Sequence, residues 1–447
     1  MLQSSITKGK NPMQKIILIL LMSYPLFAVS LQELVRIGLK ESTIVKKSQT
    51  EIDYAVEKQN ESKADQLGKI DLVAGYTHFN LPRTLSPLTP ITMRDPVTAA
   101  NVSTTQDLFG TGVAYSVPLF TGFAQTRQIE MDSITTQLAK SKSSLTKEQL
   151  VYNISSLYLS ILALQEMYQA QQNYVGTLKK LEQQISDEVR FGKKAQIDLL
   201  KSQSDLHGNL AYLEVIKGNI TIAKASLASL AGVDHIGTMK DVKVTVKNPN
   251  YRTDRLLQDA SGLDKVLIAD LNLQKAGKGI EKSKAALLPQ VALDSYYGYN
   301  YGPNDDSNPK SGQWENQNTW QVGLVAKWTL FDFGKNDAAT QKAKIGQMQA
   351  QLDKQQTMLD LRKSFIEAEE KIKQEYANYQ SNLKQHALAK ESEKIENVRY
   401  INDAATLNDL LYAKSQTHVA AAKLIESKYN YQKGKFYLDY LLERGVK

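Results

Sequence analysis

The chain has 447 residues, a formal net charge of +8 and no cysteine. The absence of thiols excludes disulfides, thiolate zinc sites, a cysteine nucleophile and the lipid-bearing cysteine of a bacterial lipoprotein. Nor does the charge indicate a nucleic-acid partner, because the lysines are scattered among Glu and Asp along helical faces rather than clustered as phosphate binding requires.

Prolines (11) and glycines (24) are sparse, which favours long uninterrupted elements. At the N-terminus, Lys8, Lys10 and Lys15 precede the apolar run Ile16 to Met22, continued by Tyr24-Pro25-Leu26-Phe27-Ala28. Small residues at Ala28 and Ser30 make a cleavage site before Leu31, so residues 1–30 read as a secretory signal, with Met13 an alternative start. The apolar run is too short for a transmembrane anchor, which needs roughly 20 apolar residues.

From about Leu31 to Leu67 the pattern predicts a helix. The period then changes to two, with Ile70, Leu72, Ala74 and Tyr76 on one face of a strand. A proline-rich stretch from Asn80 to Gln106 reads as a long loop, and a second strand follows at about Leu108 to Leu119. Thr121-Gly122 opens a helix reaching about Val189, with Leu150, Ile154, Leu157, Ile161, Leu164, Tyr168, Val175, Leu178 and Ile185 on a heptad seam interrupted by Gln171 and Glu182. Some 65 residues at about 1.5 Å each reach on the order of 100 Å. After Gly192 a return helix runs to Ala231-Gly232, and residues 233–252 form a connector.

The order then repeats. A helix is expected from about Thr253 to Leu287, a strand from Val291 to Tyr301, a polar loop from Gly302 to Asn318, and a strand from Trp320 to Leu330. A long helix from about Lys335 to Tyr400, a tip at 401–406 and a last helix from Leu407 to about Leu442 complete the chain. At an offset of about 211 residues, Val113-Ala114-Tyr115-Ser116-Val117-Pro118-Leu119-Phe120 lies over Leu324-Val325-Ala326-Lys327-Trp328-Thr329-Leu330-Phe331. The same offset lays Asp198-Leu199-Leu200 over Asp409-Leu410-Leu411 and His207 over His418. The chain therefore divides into a signal (1–30), a first repeat (31–232), a connector (233–252) and a second repeat (253–447).

The strand from Trp320 is the sharpest membrane signal. Trp320, Val322, Leu324, Ala326, Trp328 and Leu330 share one face, opposed by Gln321, Gly323, Val325, Lys327 and Thr329. An apolar face for lipid backed by a mostly polar face for water is what a barrel strand needs. Tyr296, Tyr297, Tyr299 and Tyr301 are expected to add to an aromatic girdle with Trp320 and Trp328. Four strands cannot close a conducting barrel, since small closed barrels begin near eight, so several copies must pool their strands. The competing reading is a soluble periplasmic coiled-coil adaptor or structural protein without a pore.

Leu287-Leu288-Pro289 leading into a strand, Trp320-Gln321-Val322-Gly323-Leu324 running into Trp328-Thr329-Leu330-Phe331-Asp332-Phe333-Gly334, and Val398-Arg399-Tyr400 before Asp409-Leu410-Leu411 carry a resemblance. Over essentially its whole mature length the chain resembles the TolC family of outer-membrane efflux proteins. The resemblance implies a mixed α/β membrane protein: a long helical coiled-coil barrel plus four strands contributed to a trimeric twelve-stranded transmembrane β-barrel, with an internal duplication. It further implies an outer-membrane homotrimer that serves as a passive exit duct for efflux or type I secretion. Such a duct docks on a periplasmic adaptor and an inner-membrane pump, and opens by an iris-like movement of its periplasmic helix tips.

The same resemblance assigns residues. Asp409 falls at the family's aperture aspartate, with Asp403 beside it, while Tyr412 occupies the place of a second aspartate found in some members. Tyr400 matches a tip tyrosine that bonds, in closed channels, to an aspartate of the first repeat, here Asp198. An arginine that also locks the closed form is replaced by Ala405. The adaptor-contacting tips become Phe191-Gly192-Lys193 and Asn402-Asp403-Ala404, with Asp403 where the first tip keeps glycine. Aspartate tolerates positive φ, so that turn is expected to survive. Physically, three copies of Asp409 in a narrow mouth would favour cations, although a carboxylate in the first turn of a helix is also favoured by the helix dipole.

No enzyme motif is present: the sequence has no Walker loop, no G-x-S-x-G and no HExxH. No cofactor or metal is implied. The five histidines (His78, His207, His235, His386, His418) show no carboxylate-histidine pattern, and His207 and His418 are expected in solvated or interhelical positions.

Overall fold

The structure is a computed structural model and describes residues 29–252, 256–257, 259–306 and 310–446. The expected signal segment lies almost wholly outside the described residues. The first expected helix is two: α1 (Leu31–Glu41) and α2 (Thr43–Ala64), broken at Ser42, which leaves the helical region with ψ 128°. The other elements are β1 (Lys69–Thr84), two single turns α3 (Pro90–Arg94) and α4 (Pro96–Ala100), β2 (Thr104–Phe120), α5 (Ala124–Arg190) and α6 (Gln196–Ala231). The second half holds α7 (Asp264–Lys284), β3 (Gln290–Pro303), β4 (Trp314–Lys327), α8 (Lys335–Ile401) and α9 (Leu407–Leu441). Of the expected helix from Thr253, positions 253–255 and 258 lie outside the described residues; the regular part begins at Asp264.

The helix ends recur at the offset of the expected repeat. Ala124 and Arg190, which bound α5, correspond at an offset of 211 to Lys335 and Ile401, which bound α8. Each long helix is 67 residues, about 100 Å at roughly 1.5 Å per residue. In both repeats the chain passes from strand to long helix through two consecutive left-handed residues, Gly122-Phe123 and Phe333-Gly334. No helix among the described residues is long and apolar enough to cross a membrane, a statement that leaves the sheet untouched.

The four strands form one antiparallel sheet in the order β1-β2-β3-β4, leaving the outer edges of β1 and β4 unpaired among the described residues. The register aligns Leu72, Val113, Tyr297 and Trp320 in a row, with Ile70, Tyr115, Ser295 and Val322 beside it. Side chains alternate with period two, so these residues share one face. That face is apolar and open: Leu72 is 81% exposed, Trp320 71% and Leu324 68%. The opposite face carries Asp71, Gly112, Ser116, Asp294, Gly298, Gln321 and Lys327.

Two expectations about the sheet are corrected. Tyr296 does not join Tyr297 and Tyr299; it lies on the polar face, its ring over Gly112 and Gly298. The strands are also longer at the hairpin end than the apolar alternation suggested, and β4 is shorter at the helix end. β4 begins at Trp314, inside the expected polar loop, and ends at Lys327, so Trp328 lies beyond it and donates from Nε1 to Leu287 O at 3.1 Å. Trp320 is consequently mid-strand, and a separate aromatic group of Tyr76, Phe109 and Trp314 sits at the hairpin end. Polar residues pair through their backbones as readily as apolar ones, so the ladder continues past the stretch with a side-chain signal.

The helices pack along their seams. Leu150, Ile154, Tyr158, Leu159 and Ile161 of α5 are buried against α1, α6 and α9, while Leu361, Phe365 and Ile372 of α8 pack with Leu438 and Leu441 of α9. The polar interruption Gln171 is fully buried and donates to Asn209 O at 3.0 Å. The connector crosses α5 as an extended strap. Val29 bridges to Met239, and the Tyr158 hydroxyl is shared between Val29 O (2.9 Å) and Lys240 O (2.5 Å).

Candidate functional site

Both hairpin tips are built by the same backbone device. At the end of α5, Lys193 N donates to Glu188 O (2.8 Å) and Gly192 N to Val189 O (2.9 Å), with Gly192 at φ 71°. At the end of α8, Ala404 N donates to Arg399 O (2.8 Å) and Asp403 N to Tyr400 O (3.1 Å), with Asp403 at φ 55°. This pair of bonds is a Schellman cap, which needs one left-handed residue. Glycine provides it without strain and aspartate with little. The second tip is braced further by Arg399 Nη2 to Ala404 O (3.1 Å) and by Asn402 Nδ2 to Val398 O (2.8 Å).

The return helices begin differently. In α9, Thr406 and Asp409 form a capping box: Asp409 N donates to Thr406 Oγ1 (3.2 Å) and Thr406 N to Asp409 Oδ2 (2.9 Å). The Thr406 hydroxyl also donates to that carboxylate at 2.7 Å and, as the main cause, holds the Asp409 pKa below the usual carboxylate range. Asp409 is exposed at the tip. In α6 the equivalent cap residue is Ala195, which has no side chain to offer.

The two tips meet through a small core of Leu181, Ile185, Tyr400, Leu407 and Leu410. Tyr400 is 5% exposed, yet its hydroxyl makes no hydrogen bond to any described residue. The expected Tyr400–Asp198 bond is thus not formed here, although Asp198 lies close enough to contribute to raising the tyrosine pKa, an effect led by burial. The polar link between tips is Lys194. Its Nζ donates to Asp403 Oδ1 at 2.8 Å and stands 4.9 Å from the centre of the Tyr400 ring. The hydrogen bond from Lys194 depresses the Asp403 pKa, and Asp403 raises that of Lys194.

Sequence reasoning missed Lys194. The offset between repeats held the signal: Lys194 corresponds to Ala405, the position where the expected arginine was lacking, so the cation is carried by the other repeat. Phe191 projects 69% exposed beyond this contact, beneath the Arg190 guanidinium at 4.9 Å, and Lys193 and Tyr412 are exposed as well. Further from the tip, Lys428 joins α9 to Glu166 of α5 at 2.9 Å. The ring of His418 stacks on Tyr174 at 4.6 Å, and burial lowers its pKa; His207 is exposed. Among the described residues no group of three or more His, Asp or Glu is placed to hold a metal ion.

An open sheet with one apolar face, standing on two long helical hairpins with paired tips, has close counterparts. The sequence profile of the family described as "Outer membrane efflux protein" matches residues 35–233 and 264–441. The chain belongs to the outer membrane efflux protein family. It is 23% identical over 309 residues to the outer membrane protein TolC of Vibrio cholerae, a match covering 67% of this chain and 65% of that protein. The chain thus spans just under two thirds of the relative's length.

Solved outer-membrane channels share the fold. The Campylobacter jejuni CmeC outer membrane channel superposes with a TM-score of 0.76 at 16% identity, covering 93% of this chain and 86% of that one. The open state of the Neisseria gonorrhoeae MtrE outer membrane channel gives 0.70 at 16% identity, with 93% and 89% covered. Family membership places the protein in the outer membrane, and the pore-free coiled-coil reading is not favoured. The family is one of ducts, not of enzymes.

Proposed function

We propose that three copies of this chain pool their sheets into one twelve-stranded barrel and their long helices into a periplasmic tunnel, forming a passive exit duct. The observation that carries this is the sheet: its apolar face is open to the surroundings and both of its edges are unpaired. Such a sheet is stable only when lipid covers the face and further strands close the edges. Rows of exposed apolar side chains at helical spacing on α8, such as Ile345, Met348, Leu352 and Leu359, supply seams for neighbouring copies. The duct is exported by residues 1–30, built from repeats 31–232 and 253–447, and joined by the connector 233–252.

In this reading the tips are the gate. The exposed residues Phe191, Gly192, Lys193, Asn402, Asp403 and Ala404 meet a periplasmic adaptor, which couples the duct to an inner-membrane pump that supplies the energy. Parting the two hairpins breaks the Lys194–Asp403 contact and exposes Tyr400, and Asp409 lines the mouth thus widened. The decisive experiment is to extract the protein in detergent, measure its mass and record single channels in planar bilayers. A trimer with discrete cation-preferring conductance is expected; recovery as a detergent-free periplasmic monomer overturns the reading.

A further inference from the structure

The segment joining β1 to β2 leaves the sheet at the end opposite the helices, the external end of the duct. Its neck does not splay outward. Leu85, the first residue past β1, is 1% exposed; its N–H donates to Ser103 O at 3.4 Å and its carbonyl accepts from Asn300 Nδ2 at 2.8 Å. Asn300 alternates with Tyr299 and Tyr301 along β3, so it stands on the polar face with Tyr296 and Gly298. The neck is therefore pinned to the water-facing side of the sheet, not to its lipid side.

Between the pinned ends the segment has a fixed shape and the wrong surface for water. Thr89 accepts from Thr92 N at the start of α3, and Asp95 accepts from Val97 N and Thr98 N at the start of α4; Pro90 and Pro96 follow these caps directly. Leu88, Ile91, Met93 and Val97 are 42%, 80%, 59% and 70% exposed, and Arg94 and Asp95 are the only charges between Leu85 and Ser103. Two capped turns displaying four apolar side chains need a partner. β1 is an edge strand, so in a closed barrel the segment leaving it lies beside the next copy, on the inner side.

We propose that residues 86–102 of three copies meet over the external mouth and form an apolar collar that narrows the exit, a second constriction in series with the periplasmic tips. The collar rests on the trimeric duct reading above. Its occupant is the same segment of neighbouring copies; the outer lipid leaflet is the competing occupant.

The chain has no cysteine, so single-cysteine variants report cleanly. In the full-length detergent-solubilised trimer, Ile91→Cys is expected to give disulfide-linked dimers on oxidation, and Met93→Cys likewise. Both sites are exposed, so neither change threatens folding. A second measurement uses Gln321→Cys on the water-facing side of β4, probed from outside intact cells with a bulky polyethylene-glycol maleimide. Labelling is expected to be lost in the otherwise intact chain and gained when residues 86–102 are replaced by a short Gly-Ser linker. A trimer in which neither Ile91→Cys nor Met93→Cys cross-links, or equal labelling with and without the segment, overturns the collar alone. Failure to find a trimer by mass overturns the duct reading and the collar with it.

Discussion

Lys194 Nζ lies 2.8 Å from Asp403 Oδ1, joining the tip of the first helical hairpin to that of the second. The lysine is the more buried partner, its side chain 23% exposed against 82% for the aspartate, and its ammonium stands over the Tyr400 ring. In the gate proposed above, the contact would restrain opening with little energy, as an exposed ion pair should if it must break in use.

Removing either partner is expected to raise the open fraction of single channels modestly. Lys194→Ala and Asp403→Ala should each do so, and the double variant should match the singles, since the pair acts as one unit. Fully additive increments would show that the two side chains work separately. The pH dependence has a definite sign. Asp403 is held below its ordinary pKa by Lys194, so its contribution is present above the ordinary value and fades as pH falls through the depressed one. Lys194 is held above its ordinary value by Asp403, so its contribution fades only as pH rises through the raised one. Closure should therefore be flat from roughly pH 4 to pH 10. A step near neutrality would count against this contact as the latch.

Asp409 has one observed use, in the capping box, and one proposed use, at the mouth, and two substitutions separate them. Asp409→Asn keeps an oxygen for the Thr406 amide but loses the charge, so cation preference should fall with little change in unfolding temperature. Thr406→Ala removes the cap and keeps the carboxylate, costing about 1 kcal/mol of stability. Unchanged ion selectivity in Asp409→Asn would leave the carboxylate only its capping role.

Gly298→Ala should block barrel assembly. A Cβ there would stand 2.5 Å from Thr111 O on the paired strand, besides meeting the Tyr296 hydroxyl. Removing the tyrosine frees the side-chain contact but not the backbone one, so Tyr296→Ala should not rescue the variant. Heat-stable oligomers on denaturing gels provide the test, and full rescue would assign the glycine to the Tyr296 ring instead.

Tyr158 ties the connector to α5. Tyr158→Phe removes the hydroxyl donor to Lys240 O, while Val29 O still accepts from Lys240 N, and should cost about 1 kcal/mol. Burial pushes its hydroxyl up from 10.0 to about 12. The folded state thus holds the proton more tightly, and its stabilisation is complete below pH 10.0 and lost as pH rises towards about 12. Thermal unfolding of wild type and Tyr158→Phe across that range should converge; parallel curves would remove the tyrosine as the cause.

Much of the architecture was legible because it rests on local periodicity. Heptad seams such as Leu150-Ile154-Leu157-Ile161 and the alternation from Trp320 to Ala326 identify the helices and the lipid-facing strand without any partner in view. The limits of the strands were not legible. Beyond the lipid-facing stretch the ladder runs through Glu315, Asn316, Gln317 and Asn318, where backbone pairing leaves no side-chain signature. Tyr297, Tyr299 and Tyr301 share a parity that Tyr296 lacks, so a run of neighbouring tyrosines does not by itself make one girdle.

By itself, then, the sequence determined the duplicated plan, the long helices, the left-handed tip at Asp403 and a sheet with one apolar face. The helices, the tip and the apolar sheet face depend on residues near one another in the chain, whose spacing fixes which face they share, and the plan is read by laying one half of the sequence over the other. Only the tertiary structure decided that the tips are linked by Lys194 rather than by a Tyr400–Asp198 bond, and that the β1–β2 segment turns towards the water-facing side. Both depend on partners about 200 residues apart, Lys194 with Asp403 and Leu85 with Asn300, brought together by packing that no local pattern encodes.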